Sequence, residues 1–149
     1  MANLVATISE SVTINGALRG STNTLTVTDI TNTFERTLTC PHSNFTVIGT
    51  FNSNVYGSAG AIDLENTKYI RVTNISATAV MDLAISGETT SYTVVLTAGA
   101  SHILCQADTA VIGETTQGST FPTLQDIEYI SVKPRGTDDA NVEIFVGVL

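Results

Sequence analysis

The residue types best suited to metal binding in this chain form two pairs. Cys40 lies two residues before His42, and His102 lies three residues before Cys105. A structural zinc site needs four ligands at matched short spacings, whereas the two histidines are 60 residues apart in the sequence. We therefore predict no metal site. Because the start of the chain lacks the basic and apolar segments of a secretion signal, we also expect free, packed thiols rather than a disulfide.

Two pairs of acidic residues are the remaining candidates for chemistry. Asp63 with Glu65, and Asp138 with Asp139, have the spacing of a general acid and base or of calcium ligands. Short acidic segments of this kind more often cap and solvate turns. The chain has no Gly-x-Ser-x-Gly motif, no Walker phosphate-binding loop and no His-Glu-x-x-His motif. We predict no catalytic residue and no cofactor, and so a protein that is not an enzyme.

The charge balance and the apolar runs argue against two classes of partner. Fourteen acidic against six basic residues give a net charge of −8, and the basic residues form no cluster, so we expect no binding to nucleic acid. No apolar run approaches the roughly 18 residues of a membrane span, so we expect no membrane contact.

Composition and periodicity predict an all-β fold. The 149 residues suit a single domain spanning 1–149, and 25 of them are threonine, whose β-branched side chain favours strands. Apolar residues alternate with polar ones in segment after segment, with almost no helical spacing. Turn signals separate these segments at intervals of roughly 8–15 residues, which predicts an antiparallel β-sandwich, or jelly roll, of about nine or ten strands.

Three local features refine this prediction. The first segment keeps its apolar residues on even positions, namely Leu4, Ala6, Ile8, Val12 and Ile14, and ends at Asn15 and Gly16, which favour a tight turn. Ile30 is out of phase with Val27, so a bulge or turn is expected at residues 29–32. The segments around Tyr92 and His102 are expected to pair as a hairpin through Ala98 and Gly99.

The nine aromatic residues provide candidate contact residues. Six lie in strand-like contexts that core packing explains: Phe34, Phe45, Phe51, Tyr69, Tyr92 and Tyr129. Tyr56 and Phe121 instead lie within polar segments rich in Gly, Ser, Asn and Thr. Because loop aromatics are enriched at interfaces, we predict these two as possible interface residues.

Several segments together resemble small virion structural proteins of tailed bacteriophages. They are residues 5–16, 34–38, 68–74, 81–85 and 92–104, which together make up 42 of the 149 residues. Each is a pattern of strands and turns, and the resemblance transfers no functional residue. It implies a structural part of the particle, made in the host cytoplasm and residing in the virion.

Within that class, a capsid decoration or cement protein on the major capsid shell is the leading hypothesis. Its partners would be the major capsid protein or other virion proteins, together with copies of itself in a homo-oligomer, with a trimer as the first expectation. A tail-associated or fibre-associated component is one alternative. A virion-surface module that binds glycans or a receptor is another, and it would need a loop-end pocket with an aromatic platform.

Overall fold

A computed structural model describes residues 2–54, 60–105 and 125–149, and these residues contain no helix. They form thirteen strands. The strands are β1 (Ala2–Ser9), β2 (Val12–Ile14), β3 (Ala17–Arg19), β4 (Thr22–Ile30), β5 (Asn32–Cys40), β6 (Thr46–Asn52), β7 (Ile62–Asp63), β8 (Thr67–Asn74), β9 (Met81–Ser86), β10 (Ser91–Leu96), β11 (Ser101–Cys105), β12 (Tyr129–Pro134) and β13 (Ala140–Val148).

Two sheets make up the body of the molecule. One has the order β10-β9-β12-β6-β7 and the other has the order β11-β8-β13-β5. All pairs are antiparallel except the short parallel contact of β7 with β6. The predicted all-β sandwich is confirmed. The strand count is higher than predicted because β2, β3 and β7 are short strands of two or three residues.

The eight longer strands from β5 onward are arranged as a rolled-up hairpin. β9 pairs with β10, β8 with β11, β6 with β12 and β5 with β13, so the first strand of the eight pairs with the last, the second with the seventh, and so on inward. Successive pairs alternate between the two sheets. This is the arrangement of a jelly roll.

The hairpin predicted for the segments around Tyr92 and His102 is wrong. β10 pairs with β9 in one sheet, whereas β11 pairs with β8 in the other. Residues 97–100 therefore form a corner that crosses between the sheets. A short loop containing Gly suits a corner as well as a hairpin, and only the rolled topology decides between them.

Alternate residues of the strands point inward and form the core between the sheets. Val142, Ile144 and Val146 on β13 are fully buried, and so are Met81 and Leu83 on β9. The residues between them on each strand point outward, as the pleat requires. Cys40 is a free thiol buried in this core, and burial raises the pKa of its thiol group.

The expected irregularity at residues 29–32 is confirmed. Asp29 has a positive φ of 65°, and the pairing register of β1 with β4 shifts opposite it, between Ala2 and Leu4. This shift brings Ile30 back into phase, so Val27 and Ile30 are both buried although they lie three residues apart.

A buried amide connects two of the places where the chain crosses between the sheets. Asn74 ends β8, and its side-chain Nδ2 donates to the carbonyl oxygens of Ala79, at 2.8 Å, and Leu96, at 3.0 Å. Its Oδ1 accepts from the N–H of Ser76 at 3.1 Å. The loop to β9 and the corner from β10 to β11 are therefore held by one side chain, which is fully buried.

Replacing this amide should destabilise the whole sandwich. Asn74→Ala leaves the carbonyls of Ala79 and Leu96 without their donor, and we expect the free energy of unfolding to fall by about 3 kcal/mol, because a buried unpaired polar group costs about 1–3 kcal/mol. Chemical denaturation measures this. Asn44→Ala, at an exposed position, is the matched control and should change stability by less than about 0.5 kcal/mol. Equal effects of the two variants would contradict the role of Asn74.

Candidate docking surface

Residues 2–30 form a long two-stranded ribbon, called the ribbon below. β1 pairs with β4 along its shaft, and β2 pairs with β3 at its tip. Asn15 and Gly16 make the tight turn at the tip with φ angles of 52° and 78°, as the sequence predicts. From Ala6 to the turn the ribbon extends about 30 Å at roughly 3.3 Å per residue.

The two faces of the shaft differ in chemistry. One face carries hydroxyl groups that bond across the strands, with Thr7 and Thr24 oxygens 3.3 Å apart and Ser9 and Thr22 oxygens 3.0 Å apart. The opposite face is mainly apolar and carries Leu4, Ala6, Ile8, Leu25 and Val27. The shaft is therefore an amphipathic ribbon with one face suited to protein contact.

The base of the ribbon, called the root, packs on the outer face of the four-stranded sheet. Gly147 on β13 makes this possible, because a Cβ there would lie only 2.9 Å from Leu4 Cδ1 and 3.5 Å from Ile30 Cδ1. Tyr69, beside Gly147 in the sheet, is covered and only 6% exposed although it faces outward. It also packs edge to face on Phe145, with ring centroids 6.0 Å apart.

Beyond the root the ribbon leaves the body of the protein. All residues of β2 and β3 are exposed on both faces. Five large aliphatic side chains of the ribbon are between 46% and 74% exposed, namely Val5, Ile8, Val12, Ile14 and Leu18. Full burial of one such side chain stabilises by roughly 1.5–3 kcal/mol, so this surface gains much by contact with another protein.

A shallow groove lies where the ribbon meets the sheet. It has a volume of about 200 Å³ and is lined by Leu4, Val5, Ala6, Tyr69, Arg71 and Phe145. Arg71 is held at its edge by Glu143, with Nη2 and Oε1 2.5 Å apart, and by a 2.8 Å bond from Nη1 to Thr73 Oγ1. Because this guanidinium is already paired, the groove presents a mainly apolar surface.

A second apolar patch lies on the outer face of the five-stranded sheet. Val47 is 44% exposed there, and Tyr129 on the neighbouring strand is 37% exposed. Phe45, directly before β6, is 67% exposed. The expectation that core packing explains Phe45 and Tyr129 is wrong, because both lie on the outward side of the alternation.

An open cleft of about 650 Å³ lies near one end of the sandwich. Its lining includes Tyr129 and three acidic residues, Glu88, Asp126 and Glu128. Gln125 shapes one side, because its Oε1 accepts from the Thr89 N–H and the Thr90 hydroxyl while its Nε2 donates to Thr89 Oγ1. The described residues that line the cleft include these three carboxylates and no basic side chain, an arrangement that disfavours anionic ligands.

The two aromatics predicted as interface residues, Tyr56 and Phe121, lie outside the described residues. Their role stays a prediction. The ribbon was not singled out as a contact surface by its sequence. The available signal was a tight turn flanked by alternating apolar residues, which equally fits a hairpin buried in the core.

The two Cys–His pairs do not come together. β5, which carries Cys40, and β11, which carries His102, are the opposite edges of the four-stranded sheet, about 14 Å apart at the usual strand spacing. His42 Nδ1 instead lies 2.9 Å from Asp139 Oδ1. Among the residues whose side chains the structure describes, no three His, Cys, Asp or Glu are grouped to hold a metal.

One carboxylate of each acidic pair accepts hydrogen bonds from turn residues. Asp63 Oδ1 accepts from the N–H groups of Glu65 and Asn66, and its Oδ2 accepts from Asn66 Nδ2 at 2.8 Å. Asp139 accepts from the backbone N–H and the ring of His42, and these bonds lower the pKa of its carboxyl group. Asp63 is therefore engaged within its own turn, whereas Asp139 joins its turn to the one that contains His42.

His102 faces the inside of the sandwich and links the two sheets. Its Nε2 lies 2.8 Å from the hydroxyl oxygen of Tyr92 on β10, and the two rings pack edge to face. Burial lowers the pKa of His102 below its ordinary value of 6.5, because desolvation opposes the charged imidazolium. Burial also raises the pKa of Tyr92, which stays a neutral hydroxyl.

No protein-family model matches the chain, and neither a curated protein nor a solved structure matches it. Among the described residues, no helix is long and apolar enough to cross a membrane.

Attachment of the ribbon should depend on the root face alone. Leu4→Ser removes the side chain that packs against Gly147, and we expect backbone amides of β1 and β4 to exchange about tenfold faster, because the variant forfeits roughly 1.4 kcal/mol of apolar burial. Val5→Ser, one residue along on the exposed face, should leave exchange unchanged. Hydrogen exchange followed by mass spectrometry measures both, and equal exchange in the two variants would mean that the root does not hold the ribbon.

The half-buried His102 should make stability depend on pH. The unfolded chain binds a proton at His102 near pH 6.5 and the folded chain resists it, so the contribution of His102 is complete above pH 6.5 and is lost as the pH falls. We expect His102→Gln to flatten the decline in unfolding free energy between pH 6.5 and about 5, and His42→Gln to retain it. Denaturation curves across this range test the assignment, which fails if His42→Gln flattens the decline instead.

Proposed function

We propose that this chain is a non-enzymatic structural protein of a tailed-phage virion. It acts as a decoration protein that binds the outer surface of the major capsid shell and stabilises it. The observation that carries the proposal is the ribbon, with its five exposed aliphatic side chains. Such a surface is expected of a protein that functions by contact with other proteins.

The physical cost of the ribbon supports this role. A two-stranded ribbon is marginally stable in water, and exposed apolar strands invite unwanted association unless a partner covers them. The root anchors only the base, through Leu4, Val27 and Ile30. A partner surface that covers the rest of the ribbon stabilises both the ribbon and the assembly.

The fold is compatible with the proposal, and the resemblance to virion proteins supports it more specifically. Jelly rolls occur in viral capsid proteins but also in lectins, so the fold alone assigns no function. The resemblance to phage virion proteins favours the particle, and it is carried by residues 5–16, 34–38, 68–74, 81–85 and 92–104. The patch of Phe45, Val47 and Tyr129 is separate from the ribbon and supplies a second contact surface, which we assign to the shell.

Binding to particles that lack this protein tests the role directly. Purified protein added to such particles should cosediment with them and saturate at one copy, or a simple fraction such as one third, per major capsid protein. Phe45→Ser combined with Val47→Ser should weaken binding about tenfold or more, because both side chains leave a buried interface. The matched control is Val95→Ser, which removes another exposed apolar side chain of the same sheet.

Absence of binding would reject the decoration role. Mass spectrometry of purified virions gives an independent measurement of copy number. A copy number near that of the major capsid protein, or a simple fraction of it, supports the proposal. A few copies per particle would overturn it in favour of a tail-associated component.

A further inference from the structure

We propose that the tip of the ribbon of one copy docks into the groove at the ribbon root of a second copy of this chain. The inference rests on the proposed function and deepens it by naming one partner of the ribbon. The tip is residues 12–19, and the root groove is the cavity of about 200 Å³ between the ribbon and the four-stranded sheet.

The tip of one chain does not reach the groove of the same chain. The tip lies about 30 Å along the ribbon from the root, because β1 and β4 are extended and paired along the shaft and a 2.8 Å bond from the Glu10 N–H to the Ser21 carbonyl joins the shaft to β2 and β3. The apolar tip and the apolar groove are therefore at opposite ends of the same ribbon. Each copy carries one donor surface and one acceptor surface, which a second copy matches.

The apolar parts of the two surfaces correspond in shape and chemistry. On one face of the tip, Val12 lies directly opposite Arg19, and Ile14 lies directly opposite Ala17. The groove offers the ring of Phe145 and the side chain of Leu4 as an apolar floor. Two aliphatic side chains from the tip fit a groove of this size without burying an unpaired polar group.

Charge provides the second correspondence. Glu35 on β5 lies directly beside Phe145 on β13, as Arg19 lies beside Val12 on the ribbon. Cross-strand neighbours have Cβ atoms about 4.5–5.5 Å apart in both pairs, so Val12 on Phe145 places Arg19 at Glu35. Neither Arg19 nor Glu35 has an ion-pair partner among the described residues.

The exposed area is large enough for a stable contact. The whole chain exposes 9048 Å². A compact monomer of 15.7 kDa exposes about 7,300 Å², so the excess is about 1,700 Å², and the ribbon is one source of it. A specific protein interface of standard size buries about 800 Å² on each partner, so an excess of this size on one chain is sufficient for one such contact.

The contact joins two different surfaces, so it closes either by reciprocal exchange in a dimer or around a ring. In the ring each ribbon reaches the next copy, and three copies give the trimer expected for a decoration protein. Both closed forms use the same tip and groove. An assembly held by other surfaces does not depend on Arg19 or Glu35.

Charge reversal and rescue test the contact in the purified full-length chain. Sedimentation velocity across a concentration range gives the dissociation constant of the oligomer. We expect Ile14→Ser and Arg19→Glu each to raise it about tenfold or more, because each removes one part of the contact. Combining Arg19→Glu with Glu35→Arg restores the opposite charges, and the dissociation constant should return to within about threefold of the wild type.

Phe45→Ser is the control, since it removes an equally exposed apolar side chain outside the contact and should leave association unchanged. All these positions are exposed, and unchanged unfolding curves confirm that the variants fold. A monomeric wild-type protein at millimolar concentration overturns the inference, and so does a double variant no better than Arg19→Glu alone. Because the assay contains no particles, its failure leaves the proposed binding to the shell intact.

Discussion

The sandwich depends on one buried amide, that of Asn74. A jelly roll must carry its chain between the sheets repeatedly, and each crossing exposes backbone groups that the strand ladders do not satisfy. Asn74 supplies donors and an acceptor to two crossings at once, through Ala79, Leu96 and Ser76. Its own backbone extends the same junction, since its N–H donates to Ala100 and its carbonyl accepts from Gly99. The sheets can pack face to face because the protein's own polar groups pair at these connections.

A second constraint operates on β13, which serves two surfaces. Its inward residues Val142, Ile144 and Val146 fill the core, and its outward Gly147 lets the ribbon root approach the sheet. The proposed docking groove exists because the root, admitted at Gly147, lies against the sheet beside Tyr69 and Phe145. The core and the candidate contact surface are thus built from opposite faces of the same strand, so the orientation of the ribbon follows from the packing of the sandwich.

Local features were predictable where one physical rule decides the conformation. Asn15 and Gly16 adopt the positive φ angles of a tight turn, and the phase change before Ile30 becomes a bulge at Asp29. Pairing was less predictable. The loop at Ala98 and Gly99 turns a corner instead of a hairpin because β10 and β11 each have a partner elsewhere in the sheets. That choice depends on contacts between residues far apart in the chain, which no local pattern records.

The sequence by itself determined that this chain is built of strands with two unlike faces. Ile8, Val12 and Ile14 alternate in the same way as Val142, Ile144 and Val146, yet the first three are exposed and the last three are fully buried. Alternation indicates which residues share a face, but it carries no information about what covers that face. Only the tertiary structure decided this, because burial requires a second layer, and beyond the root no other described element covers the ribbon.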